Sequence, residues 1–143
     1  MSGVDLGPGR VKVLDTCSEI RRKLRLVLKK DGVTQAGLLR ALTAQHPDGA
    51  KVAASSLRAF IEKKNPMALD GCGSCVYPAA YVLFEKMRLR DGKPKTEHRL
   101  GMERVWEARG GVPTDGPVRT PITHVSEVWY MDTFGEIIIS RRY

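Results

Sequence analysis

The sequence predicts a mainly α-helical fold: a compact five-helix domain with a helix-turn-helix-like pair of helices, plus a C-terminal β-hairpin packed on it. Three observations carry this expectation. Apolar residues recur at helical spacing in five segments, each introduced by a capping residue or a turn. Gly and Pro clusters separate those segments. The C-terminal stretch VSEVWYMDTFGEIIISRRY is rich in β-branched and aromatic residues on either side of a turn-forming Asp132-Thr133-Phe134-Gly135.

The totals bound the answer. At 143 residues the chain fits one domain with a core of its own, and 42% hydrophobic with 28% charged residues is ordinary globular composition. Twenty-four Lys and Arg against sixteen Asp and Glu give a net charge of +8, a balance that favours polyanionic partners. No apolar run approaches a membrane span and the N-terminus lacks a signal-peptide centre, so a soluble intracellular protein with no membrane partner is expected. Three cysteines, an odd number, argue against a secreted disulfide framework.

Residues 1–14, MSGVDLGPGRVKVL, read as a flexible basic arm carrying Arg10 and Lys12 and ending in an apolar approach to the first helix. The helical domain spans 15–109. Its first helix opens on Thr16, with Glu19 at capping-box spacing, and buries Ile20, Leu24, Val27 and Leu28. Arg22, Arg25 and Lys29, flanked by Arg21, Lys23 and Lys30, make its solvent side almost wholly basic.

Asp31-Gly32 ends that helix, and Thr34 caps a second helix running to about Gln45. Leu38, Leu39 and Leu42 form its buried side, with Gln35 and Arg40 outward. The stretch VTQAGLLRAL looks like the opening of a helix-turn-helix, yet the short turn is replaced by a longer loop around HPDGAK. The third helix, roughly Ser55–Lys64 with Ser55 or Ser56 as cap, is then the displaced recognition-helix candidate. Leu57, Phe60 and Ile61 face inward, and Ser56, Arg58 and Lys63 outward.

A loop through MALDGCGSC leads to a fourth helix at about Tyr77–Arg90, its apolar side Ala80, Tyr81, Phe84 and Met87. After the turn Asp91–Lys95, Thr96 caps a fifth helix reaching about Arg109, with Leu100, Met102, Val105 and Trp106 inward. Residues 110–123 hold three prolines and read as a linker. Residues 124–143 form the hairpin, with strands at Val128–Met131 and Glu136–Ser140; because a lone hairpin is barely stable, Trp129 and Ile138 should pack on the helices or on a second copy.

Chemistry is sparse. Cys72-Gly73-Ser74-Cys75 is a single CxxC, and a structural zinc site would need Cys17, His46, His98 or His124 brought to it by the fold. Glu97, Glu103 and Glu107 are spaced as solvent-facing helix residues, and the three histidines lie far apart. Neither catalysis nor a cofactor or metal is expected. The turn Gly92-Lys93-Pro94-Lys95 with Arg99, by contrast, is a basic approach to a helix N-terminus that suits phosphate.

The spaced residues Cys17-Ser18-Glu19-Ile20-Arg21, Asn65-Pro66-Met67 with Gly71, Tyr77, Ala80-Tyr81, Phe84-Glu85-Lys86 and Gly92–Lys95 with Arg99 resemble an uncharacterised fungal family, a domain of unknown function with a helix-turn-helix-like core. The resemblance covers about Asp15 to Trp106 and implies a nuclear helical protein; the long Gln45–Ala54 loop departs from its pattern. The resulting expectation is a DNA-binding protein of transcription or chromatin. Its contacts would come from Arg22, Arg25, Lys29, Gln35, Ser55, Ser56, Arg58, Lys63, Lys93, Lys95 and Arg99. The alternative is a protein-interaction module, or a homodimer, using the helical core or the hairpin without nucleic acid.

Overall fold

The computed structural model describes residues 11–116 and 121–141. Among them are five α-helices and one antiparallel hairpin. Arg10 and the rest of the arm's first ten residues lie outside the described part. Val13 and Leu14, at the arm's end, belong to the core.

Helix α1, Cys17–Leu28, starts where Thr16 Oγ1 accepts the Glu19 N–H at 3.2 Å. The reciprocal half of the capping box is absent: the Thr16 N–H goes to Asp15 Oδ1 at 2.9 Å and Glu19 turns to Arg22. Thr34 caps α2, Gln35–Gln45, in the same manner through the Gly37 N–H.

Helix α3, Ala54–Ile61, departs from the sequence reading at both ends. Its cap residue is Ala53, with no side-chain hydrogen bond, and Ser55 and Ser56 fall inside the first turn. The start moves forward because Val52 is buried and its N–H is held by Thr43 Oγ1 at 3.0 Å, fixing the chain just ahead of the helix. The end comes early, at Ile61, so Lys63 stands beyond the helix in an exposed loop.

Helix α4, Val76–Arg90, packs on α1, α2 and α3. The sequence assigned it one apolar side, but Val76, Tyr77, Ala79, Ala80, Tyr81 and Val82 are all buried. A helix surrounded by others in this way has apolar residues all round. Tyr77 anchors it by donating its hydroxyl to the Asp15 carbonyl. Phe84 and Met87, further along, are only half-buried.

Thr96 caps α5, Glu97–Trp106, which tightens into a 3-10 turn at Glu107–Arg109. Leu100 is not inward: it is 43% exposed. The neighbouring Gly101 takes the contact instead, because the Phe134 ring from the hairpin lies directly on its backbone.

The hairpin pairs β1, Glu127–Met131, with β2, Ile137–Arg141, placing Trp129 opposite Ile139 and Tyr130 opposite Ile138. It docks through its turn. Trp106 Nε1 donates to the Phe134 carbonyl at 2.7 Å, Met131 and Phe134 pack on the core, and Gly135 at φ +84° sits against Leu69. Trp129 and Ile138 are half-buried. Part of the 110–123 stretch is tied in as well, with Val112 buried and its N–H bonded to the Val13 carbonyl at 2.8 Å. Among the described residues no helix is long and apolar enough to cross a membrane.

Candidate nucleic-acid interface

The basic face of α1 divides into groups with different fates. Arg21, expected at the surface, is 1% exposed. Its Nε donates to the Phe60 carbonyl at 2.6 Å, another guanidinium nitrogen to the Asp70 carbonyl, and the guanidinium stacks on the Phe60 ring. Burial pulls its pKa below the ordinary arginine value. One turn on, Arg25 donates to the Ile61 carbonyl at 2.7 Å while staying exposed. Two arginines four residues apart thus cap the C-terminal carbonyls of α3, groups that a helix leaves without internal partners.

That capping sets α1 and α3 side by side. Arg22 is exposed and paired with Glu19 at 2.6 Å. Lys29 capping the end of α1, Arg58 on α3 and Lys63 and Lys64 just beyond it are exposed and make no ion pair among the described residues. The Arg25–Ile61 bond holds the last turn of α1 against the end of α3, so Lys29, just past α1, and Lys63 and Lys64, just past α3, follow from neighbouring helix ends, with Arg58 one turn back on α3. Gln35 and Ser55 are exposed and Ser56 half-buried. The first residues of α3 also offer backbone N–H groups that no side chain caps.

The second expected basic cluster is largely neutralised. Glu85, buried on α4, accepts Arg88 at 2.5 Å and Arg99 at 2.8 Å. Glu103 accepts Lys95 at 2.6 Å and Arg99 at 3.0 Å. Burial pushes the Glu85 carboxyl up, but the hydrogen bonds from Arg88 and Arg99 outweigh it and hold the group below its ordinary value. Arg99 is 14% exposed at its side chain and lies over the Tyr81 ring, so it is an internal strut rather than a phosphate ligand. Lys95 is half engaged in the same network, and Glu103 is no simple solvent-facing residue. Of this cluster Lys93 alone is exposed without an acidic partner among the described residues. The reason is tertiary: α4 brings Glu85 beneath the turn.

His98 pairs its Nε2 with Asp15 at 3.3 Å and stacks on Phe134. Asp15 holds the His98 ring above its ordinary pKa. Cys17 and Cys72 are fully buried, and the Cys72 thiol donates to the Gly116 carbonyl at 2.9 Å. Burial drives the Cys17 thiol far above its ordinary value, leaving it inert. No group of three His, Cys, Asp or Glu that could hold a metal ion occurs among the described residues.

A family model described as a domain of unknown function (DUF7726) matches residues 11–94. No curated protein and no solved structure matches the chain. The matched span covers α1 to α4 and stops before α5 and the hairpin.

Proposed function

The chain belongs to the DUF7726 family, and from that premise we propose that it binds DNA with weak sequence preference, as a regulator of transcription or chromatin. The observation that supports this reading best is the set of exposed, unpaired cations Lys29, Arg58, Lys63 and Lys64 on and just past α1 and α3, whose ends the Arg25 bond to the Ile61 carbonyl holds together. Unpaired surface cations are the groups that release counterions from a duplex. In this reading the α2–α3 pair is a helix-turn-helix with a lengthened connection, and Ser55 and Arg58 approach base edges near the uncapped start of α3. Lys29, Lys63 and Lys64 serve the phosphates, while Arg22 is held by Glu19. Lys95 and Arg99 take no part, being held by Glu85 and Glu103.

Fluorescence anisotropy with random duplex and with a selected site, at two salt concentrations, tests it. Binding should fall steeply with salt. An Arg58→Ala, Lys63→Ala variant should lose on the order of 1–3 kcal/mol at the selected site. Unchanged affinity in that variant overturns the reading.

A second reading rests on the hairpin. Tyr130 and Ile139 are exposed, as are Ile122 and Val125 ahead of it, and apolar surface of this kind favours a protein partner or a second copy. Self-association that persists at high salt and vanishes in a Tyr130→Ser, Ile139→Ser variant would select it.

A further inference from the structure

A groove of about 310 Å³ runs between α1 on one side and α4 with the α4–α5 turn on the other. This volume is at the lower end for small-molecule sites. It lies on the flank of α1 opposite Arg21 and Arg25, since Val27 and Lys30 face it while those arginines face α3. The groove is therefore separate from the face proposed for DNA.

Its floor is apolar. Leu26, 48% exposed, joins Val27 from α1 and the half-buried Phe84 and Met87 from α4. These are the residues that the packing of α4 leaves uncovered.

The charges lining it are almost all spoken for. Asp15 is paired with Lys23 at 2.9 Å and His98 at 3.3 Å, and Glu85 with Arg88 and Arg99. Glu19 is paired with Arg22 and Asp91 with Arg90. What is left over is Lys30 and Lys93, both exposed and both without an ion pair among the described residues. They stand at one end: Tyr77 in the first turn of α4 bonds the Asp15 carbonyl just ahead of α1, so the two helices start together, and Lys30 just past the end of α1 and Lys93 just past the end of α4 line the groove with Asp91. The C-termini of α1 and α4 lie at that same end and contribute about −0.5 charge each, so two ammonium groups leave an excess of about one positive charge.

We infer that this groove is a binding site for a small organic anion, a carboxylate or phosphate monoester whose apolar body lies on Leu26, Val27, Phe84 and Met87 while Lys30 and Lys93 hold its charged end. The surplus charge selects an anion. The apolar floor distinguishes the ligand from a bare phosphate, and the small recessed volume distinguishes it from a duplex.

The test uses the full chain, isotopically labelled, titrated to millimolar concentration with 1-naphthyl phosphate, with 1-naphthol and with inorganic phosphate while backbone amide shifts are followed. The phosphate ester should bind saturably with shifts centred on Leu26, Val27, Phe84, Met87 and Lys93. 1-Naphthol and inorganic phosphate should each be weaker by about tenfold or more. A Lys30→Glu, Lys93→Glu variant should lose affinity for the ester by a similar factor with an unchanged melting temperature, because neither lysine supports the fold by an ion pair. Shifts centred elsewhere, no saturable binding of the ester, equal binding of 1-naphthol, or undiminished affinity in the double variant would each overturn the inference.

Discussion

Arg21 donates from Nε to the Phe60 carbonyl at 2.6 Å while its guanidinium carbon lies 4.5 Å from the centroid of the same residue's ring. A single side chain on α1 thereby closes the end of α3, fills the space beside Phe60, and reaches on to the Asp70 carbonyl in the following loop. A planar, always-charged fork suits this triple task, and an ammonium does not.

Arg21→Met should therefore cost about 2–4 kcal/mol, since a buried and a partly buried carbonyl lose their donor at about 1–3 kcal/mol each. Arg21→Lys should recover little of it. Arg25→Ala, at an exposed site with one hydrogen bond, should cost about 1 kcal/mol. Urea unfolding midpoints decide; equal losses at the two positions would contradict the capping account.

The hairpin should be released by adding one carbon. A Cβ at Gly101 would overlap the Phe134 ring, and one at Gly135 would come within 2.6 Å of Leu69 Cγ at a φ of +84°. Gly101→Ala would stabilise an isolated α5 by about 1 kcal/mol, so a net loss of stability with faster proteolysis before β1 reports the clash. Gly135→Ala should be the worse of the two, because strain adds to overlap. A more stable Gly101→Ala protein with unchanged Trp106 fluorescence would refute the contact.

Stability should fall as pH rises above the ordinary histidine value because of His98. Its pKa is raised in the folded chain by Asp15, so the folded state binds the proton more tightly than the unfolded one. The gain is fully present below the ordinary histidine value and is lost as pH rises through the raised one. His98→Gln should flatten this part of the stability–pH profile. In the acid range Glu19, Glu85 and Glu103, all held low, give the opposite trend, with stability lost as pH falls through their folded values.

Arg99→Ala should destabilise the protein by about 1–3 kcal/mol, leaving the buried Glu85 short of a partner, yet leave duplex affinity per folded molecule and its salt slope unchanged. Lys29→Ala should do the reverse, with normal unfolding and a salt slope reduced by about one. Anisotropy and urea unfolding on the same preparations separate the two roles.

The elements themselves were legible because their determinants are local. Thr16, Thr34 and Thr96 each accept the N–H three residues on, and Asp132 organises the hairpin turn by accepting the Phe134 and Glu136 N–H groups at 2.9 Å. Spacing along the chain fixes such bonds. The exposure of Arg22 and Arg58 was equally readable from helical period.

Where a charged side chain finds its partner is a different matter. Nothing near Arg21 in sequence foretells its burial: the carbonyls it serves lie 39 and 49 residues away. Arg99 meets Glu85 across 14 residues, which turned an expected phosphate contact into an internal ion pair, and Leu100 stayed exposed because Phe134 settled on Gly101 instead. The sequence by itself determined the helices, the hairpin and the sign of the surface, since these follow from periodicity, caps and composition. Only the tertiary structure decided which cations are spent inside and which are left for a ligand, because desolvation and pairing depend on neighbours that folding brings from distant parts of the chain.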